Sequence, residues 1–169
     1  MIKLSYDIDD YRDQILELAA NGDTIIELGS HVGGTSNLIL DNIDCKLIAI
    51  DNSPEAVSIM EKLDKLTFIS GDVRLHETLL KVFKITQECD VLAIDLGGGY
   101  HPDTVFKVFY IWSSTFKPKH TLIRNRGLIE FFNMLDNKDF ENEGYLESYH
   151  DSGIPPLIKE FELWTPSIK

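Results

Sequence analysis

Four acidic residues stand at the ends of short apolar runs: Glu27 in "TIIELGSHVGGTS", Asp51 in "KLIAIDNSP", Asp72 in "LTFISGDVR" and Asp95 in "DVLAIDLGGGYHPD". A fifth run, "HTLIRN", ends on Arg124 and Asn125. Carboxylates accept hydrogen bonds and attract cations, so this spacing points to a ligand with hydroxyl, amino and cationic groups. The first run passes into a turn, Gly29-Ser30-His31-Val32-Gly33-Gly34, that would let backbone approach a ligand closely. It matches neither the dinucleotide fingerprint G-x-G-x-x-G nor the phosphate loop G-x-x-x-x-G-K-[ST]. A carboxylate at Glu27 would also repel a bound phosphate.

S-adenosylmethionine has the complementary groups: an ammonium, a sulfonium, a carboxylate and a ribose diol. Glu27 can attract its cationic end, directly or through water. A helix starting near Gly34-Thr35 offers open N–H groups to its carboxylate. Asp51 can accept from both ribose hydroxyls and Asp72 from the adenine amino group. The stretches "ELGSHVGGTS", "AIDNSPEAV" and "SGDV" resemble the first three motifs of class I S-adenosylmethionine-dependent methyltransferases. The first is most similar to the catechol-type O-methyltransferase branch, and the resemblance runs from about Thr24 to Arg126. It implies S-adenosylmethionine as cofactor, held by Glu27, Gly29, Ser30, Gly33, Asp51, Asn52, Asp72 and Val73. Taken singly, Gly29 and Gly33 would also suit any tight strand–helix turn, and Asp51 and Asp72 any helix entry or turn.

At the reacting end, Asp95 is the candidate general base or substrate orienter. Tyr100 and His101, which follow Gly97-Gly98-Gly99, are further catalytic candidates that a folding loop could bring over the ligand. Arg124 and Asn125 are candidate substrate-binding residues, and Arg126 can join Arg124 in gripping an acidic group. Methylases of amino groups carry [DN]-P-P-[YF] after the fourth strand, where this chain has Asp95-Leu96-Gly97-Gly98. The metal-dependent branch would need a second Asp where Arg124 stands, and a cation there opposes Mg2+. No metal is expected. The expected function is methyl transfer to a small molecule, with an oxygen acceptor favoured. A non-catalytic S-adenosylmethionine-binding module or partner subunit of a larger methylase is the alternative, and an aminopropyltransferase fits less well.

The elements that must carry these residues follow from periodicity. "DIDDYRDQILELAAN" places Tyr11, Ile15, Leu18 and Ala19 on one helical face. Apolar runs at "TIIEL", "KLIAI", "LTFIS", "DVLAID" and "HTLIRN" predict five strands. Helices are predicted between them at "GTSNLILDNI", "SPEAVSIMEKL", "LHETLLKVFKIT" and "DTVFKVFYIWSSTF", the last with aromatic and β-branched content that would also suit a strand, and after them at "GLIEFFNML". Ser53 and Pro54 suit a helix cap and first turn. Leu75, Leu79, Leu80 and Phe83 are expected along one side of the fourth-strand approach helix. The prediction is an α/β fold in one domain, 1–169: a doubly wound, mostly parallel sheet with helices on both faces. The family resemblance implies strand order 3-2-1-4-5; alternation in the tail, "GYLESYHDSGIPPLIKEFELW", predicts two further strands joined through Gly153 and Pro155-Pro156, one of them antiparallel. The stretch "LDNKDFENEG" reads as a surface loop.

Composition narrows the partners. The chain of 169 residues is 43% hydrophobic and 26% charged, ordinary for a globular protein. A formal charge of −12 would repel a phosphate backbone at long range, which disfavours nucleic acid as partner. No apolar run approaches the roughly 20 residues needed to cross a bilayer, and the start carries no secretion signal, so a cytoplasmic location is expected, with no membrane partner. Two cysteines, Cys45 and Cys89, and five scattered histidines make neither a disulfide framework nor a zinc site. Both thiols are expected free, and a homodimer is compatible with the composition.

Overall fold

The computed structural model describes residues 1–135. The proposed C-terminal strands, the antiparallel one included, and most of the polar loop lie outside the described residues. Six strands form one sheet: β1 (Ile2–Ser5), β2 (Thr24–Leu28), β3 (Lys46–Asp51), β4 (Thr67–Ser70), β5 (Val91–Ile94) and β6 (His120–Arg124). Their order is β1-β6-β5-β2-β3-β4, and every pairing is parallel. The five predicted strands keep the relative positions implied by the family resemblance. The complete order differs, because the N-terminal Ile2–Ser5 pairs with Thr121–Arg124 and forms the edge next to β6. Four residues at a chain start carry too little pattern to announce a strand; pairing with β6 makes it one.

The helices are α1 (Ile8–Leu18), α2 (Gly34–Asn42), α3 (Pro54–Met60), α4 (His76–Ile85), α5 (Pro102–Phe116) and α6 (Arg126–Met134). Ser53 caps α3 by accepting from the Ala56 N–H at 3.3 Å, as its position before Pro54 predicted. The α3 helix ends at Met60, earlier than the run to Leu63. On α4 the inward face is Thr78, Leu79 and Val82, while Leu75 is exposed at the N-cap. The apolar stripe therefore begins one turn later than the leucine spacing alone indicated.

Strands in this sheet are apolar on both faces because both faces are covered. Ile25, Leu47, Val91, Ala93 and Leu122 pack under Tyr11 and Ile15 of α1 and Ile39 of α2. Ile26, Leu28, Ile48, Ile50 and Ile94 pack on the opposite side under α4 and α5, where Trp112 and Phe116 stack at 5.6 Å. Trp112 is fully buried, and its indole N–H donates to the Val73 carbonyl at 2.9 Å. That bond ties the loop after β4 to the core. Cys45 and Cys89 carry free thiols, and burial pushes the Cys89 thiol up to about 12. No helix among the described residues is long and apolar enough to cross a membrane.

Candidate functional site

The loops after β2, β3, β4, β5 and β6 open at the carboxyl edge of the sheet, where connections leave to opposite faces. Two adjoining hollows lie there, of about 260 and about 610 Å³, and they share Gly29, Asp51, Asn52, Leu96 and Gly97. Gly29 makes the turn possible: its φ is +90°, and a Cβ there would overlap the main-chain carbonyl oxygen of Asp95. The N–H groups of Gly29 and Ser30 donate to the Ile50 carbonyl at 2.9 and 3.1 Å, which locks the loop across β3. Gly33, at φ +85°, is the N-cap of α2, and no side chain caps that helix. Its first N–H groups stay open toward the larger hollow, which Gly34 and Thr35 line. Ser30 is 4% exposed, lines the same hollow, and its hydroxyl has no partner among the described residues. An orphaned hydroxyl beside an uncapped helix start suits a ligand carboxylate.

The sequence-predicted acids do not all face this space. Glu27 is 1% exposed and lines neither hollow. Its Oε2 accepts from the Ser36 hydroxyl at 2.5 Å, so it braces the first turn of α2 from beneath. Burial drives its pKa up from 4.5 to about 7, with the Asp95 and Asp51 charges adding and Ser36 and Arg12 opposing. At this depth Glu27 supports the loop through Ser36, and its side chain is not part of the lining of either hollow. Asp51 does line both hollows. Its Oδ2 accepts from the His31 N–H and its Oδ1 from the Ser53 N–H, each at 2.8 Å, which fixes the carboxylate with acceptor capacity to spare. Asn52 stands beside it. Asp72 and Val73 line the smaller hollow, but Arg74 holds Asp72 through Nε at 2.9 and 3.1 Å and Nη2 at 2.5 Å. That grip keeps the Asp72 carboxyl below its usual range, and an adenine amino group there would compete with a guanidinium.

At the reacting end, Asp95 and Arg124 line the larger hollow together. Arg124 places Nε 2.8 Å and Nη2 2.7 Å from Asp95 Oδ1, and both side chains are mostly buried. Asp95 Oδ2 has no partner among the described residues. Burial raises the Asp95 pKa, although Arg124 opposes. Asn125 departs from its expected role. It is fully buried, its Oδ1 caps α6 by accepting from the Leu128 N–H, and its Nδ2 donates to the Tyr100 carbonyl, both at 2.9 Å. With both ends used, it anchors the glycine loop instead of meeting a substrate. His101 borders the smaller hollow with φ +59° as the N-cap of α5. Tyr100 lies outside both hollows, 56% exposed.

Sequence reasoning missed Arg12. It rides on α1 next to the buried Tyr11, lines the larger hollow, and donates through Nε to Thr35 Oγ1 at 3.1 Å. A cation on the polar face of a helix gives no local sign that the helix crosses a ligand site. The chain has only four arginines, Arg12, Arg74, Arg124 and Arg126, and they gather at this edge: three line the hollows and Arg126 lies two residues past Arg124. No lysine among the described residues lines either hollow. Nor does any trio of His, Cys, Asp or Glu among the described residues converge as a metal group.

No protein-family model matches the chain. Over 83 residues it is 32% identical to ribosomal RNA large subunit methyltransferase E of Archaeoglobus fulgidus, a match over 49% of this chain and 40% of that protein. The chain thus spans less than half the length of this curated relative. Among solved structures it is similar to a protein assigned as an rRNA methylase from Clostridium thermocellum, with TM-score 0.54, 13% identity, and 83% and 90% of the two chains covered. It is similar also to an rRNA methylase from Streptococcus thermophilus, with TM-score 0.54, 12% identity, and coverage of 78% and 81%. The fold is that of class I S-adenosylmethionine-dependent methyltransferases; nothing singles out the catechol-type branch. The expectation of a small-molecule substrate, with nucleic acid disfavoured, is overturned, because these relatives are ribosomal RNA methylases by name. Net charge is a poor guide to a local surface because it averages over the whole chain, whereas Arg12, Arg74 and Arg124 line the hollows at one edge.

Proposed function

We propose that this chain binds S-adenosylmethionine and transfers its methyl group to RNA of the ribosomal type, with a ribose hydroxyl as acceptor. The carrying observation is the cleft itself, which Gly29, Ser30, Asp51, Asp95 and Arg124 line together, with Arg12 held at the start of α2 by Thr35. Asp51 would hold the ribose diol of the cofactor, while Ser30 and the open start of α2 would hold its carboxylate, with Arg12 adding charge. When bound, the sulfonium supplies a methyl group already activated toward nucleophiles. The protein's part is alignment, which can lower a barrier by several kcal/mol. Asp95 Oδ2 can accept the hydroxyl proton while Arg124 holds the carboxylate still, and burial raises its basicity toward that task. Asp95-Leu96-Gly97-Gly98 in place of an amino-acceptor motif supports an oxygen acceptor. Support for RNA comes from the named relatives and from the three arginines, Arg12, Arg74 and Arg124, that line the hollows, since guanidinium groups suit phosphate contact.

A second reading, a cofactor-binding partner subunit, draws on the engagement of Asp95 by Arg124, which withdraws one of its two carboxylate oxygens from chemistry. Calorimetry tests the cofactor half of both readings. S-adenosylhomocysteine should bind with a dissociation constant on the order of micromolar, about −8 kcal/mol. Tighter binding of NAD than of this ligand would overturn the assignment.

A further inference from the structure

Beside the cleft, Arg126 packs against two tyrosines from distant parts of the chain. Its guanidinium carbon lies 5.2 Å from the ring centre of Tyr6 and 5.7 Å from that of Tyr100. Its Nε donates to the Tyr6 carbonyl at 3.4 Å and its Nη1 to the Tyr100 hydroxyl at 3.3 Å. The Tyr6 hydroxyl donates to Glu130 Oε1, also at 3.4 Å. Both rings are fixed in place yet remain 44% and 56% exposed. Each of the three residues also stands two positions from one that lines the larger hollow: Ile8, Gly98 and Arg124. Gly99 ties the cluster to the cleft: a Cβ there would lie 3.6 Å from Arg126 Cγ and 3.7 Å from Arg124 Nη1, so Arg126 stands beside the residue that holds Asp95 at the reacting end.

From this geometry we infer that Tyr6, Tyr100 and Arg126 form a stacking platform for an unpaired RNA nucleobase next to the acceptor nucleotide; the inference rests on the RNA-methylating reading above. Ordered, exposed aromatic faces bind bases without regard to sequence, because every base has a π-face. Arg126 covers part of each ring and keeps N–H groups unused by the two tyrosines, which can meet a phosphate. Among the described residues no carboxylate pairs with it. A chain of net charge −12 gains little from long-range attraction to RNA, so short-range stacking beside a local arginine cluster supplies the contact.

The test compares Tyr6→Leu/Tyr100→Leu with Tyr6→Phe/Tyr100→Phe in the full chain. Affinity for a short labelled single-stranded RNA and for the same strand in a duplex is read by fluorescence anisotropy. S-adenosylhomocysteine binding by calorimetry controls for folding. The leucine pair should weaken single-strand binding by about tenfold or more, and the phenylalanine pair by less than about twofold, with cofactor-product affinity unchanged in both. The wild type should prefer the single strand to the duplex. Unchanged single-strand affinity in the leucine pair, or a preference for duplex, overturns the platform alone if the wild type still methylates RNA. Wild-type protein that binds S-adenosylhomocysteine but neither form of RNA overturns both the platform and the RNA reading.

Discussion

Arg124 directs two of its nitrogens, Nε and Nη2, at a single oxygen of Asp95, from 2.8 and 2.7 Å, where both residues line the larger hollow. The side chains are 14% and 13% exposed, so the pair is largely shielded from water. Removing one partner should strand the other charge. Arg124→Met is expected to destabilise the fold by about 2–4 kcal/mol, and adding Asp95→Asn should recover part of that loss. Urea denaturation of both single variants and the double variant gives the coupling. Strictly additive losses would mean that the two groups are not held together as described.

Glu27 gives a pH signature. Its folded carboxyl titrates near 7 against 4.5 for the ordinary group. Between those values the folded protein keeps a proton that the unfolded chain has released. Stability from this group therefore falls as pH rises from about 4.5 to about 7, and the penalty, a few kcal/mol at most, is complete above that. Glu27→Gln keeps an acceptor for Ser36 and removes the charge. It should be more stable than wild type by about 1–3 kcal/mol near pH 8, with the gap closing near pH 5. Equal gaps in urea melts at both pH values would contradict the buried titration.

The glycine loop can be checked against an internal control. Gly29 and Gly22 share φ +90°, but a Cβ meets the Asp95 backbone at Gly29 and open space at Gly22. Gly22→Ala should cost about 1 kcal/mol from backbone strain alone, and Gly29→Ala roughly 3 kcal/mol or more, because backbone must shift. Thermal melts of the two variants decide it. Similar losses would show that β2 and β5 do not approach as closely as described.

These contrasts mark what the sequence discloses. The five predicted strands follow from apolar runs bounded by turns, since burial on both faces leaves that pattern in the chain itself; α5, whose residues suited helix or strand, is a helix that buries Val105, Val108, Trp112 and Phe116 and leaves Phe106 exposed. Asp51 and Gly29 were readable because a strand end and a turn fix where they must stand. Glu27 and Asn125 were placed at the right loops but given ligand-facing roles. Their partners, Ser36, Leu128 and Tyr100, are found only when the chain is folded. Ile2–Ser5 becomes a strand only through β6, and Arg12 joins the site only because α1 crosses α2.

Asp51 carries the cofactor half of the account. Asp51→Ala removes acceptors for the His31 and Ser53 N–H groups as well as the proposed diol contact. Affinity for S-adenosylhomocysteine should fall by about 1.5–3 kcal/mol, the range for bonds to a charged partner. Calorimetry on folded variant protein reads this directly, and unaltered affinity would remove Asp51 from the site.

The central claim is methyl transfer to RNA, and one assay meets it most directly. Purified protein, methyl-labelled S-adenosylmethionine and deproteinised ribosomal RNA are incubated beside parallel samples of protein and small metabolites. The account predicts label in RNA, retained in a 2′-O-methylated nucleoside after complete digestion, and lost with Asp95→Ala. Label in metabolites but not in RNA, from protein that demonstrably binds S-adenosylhomocysteine, would contradict it.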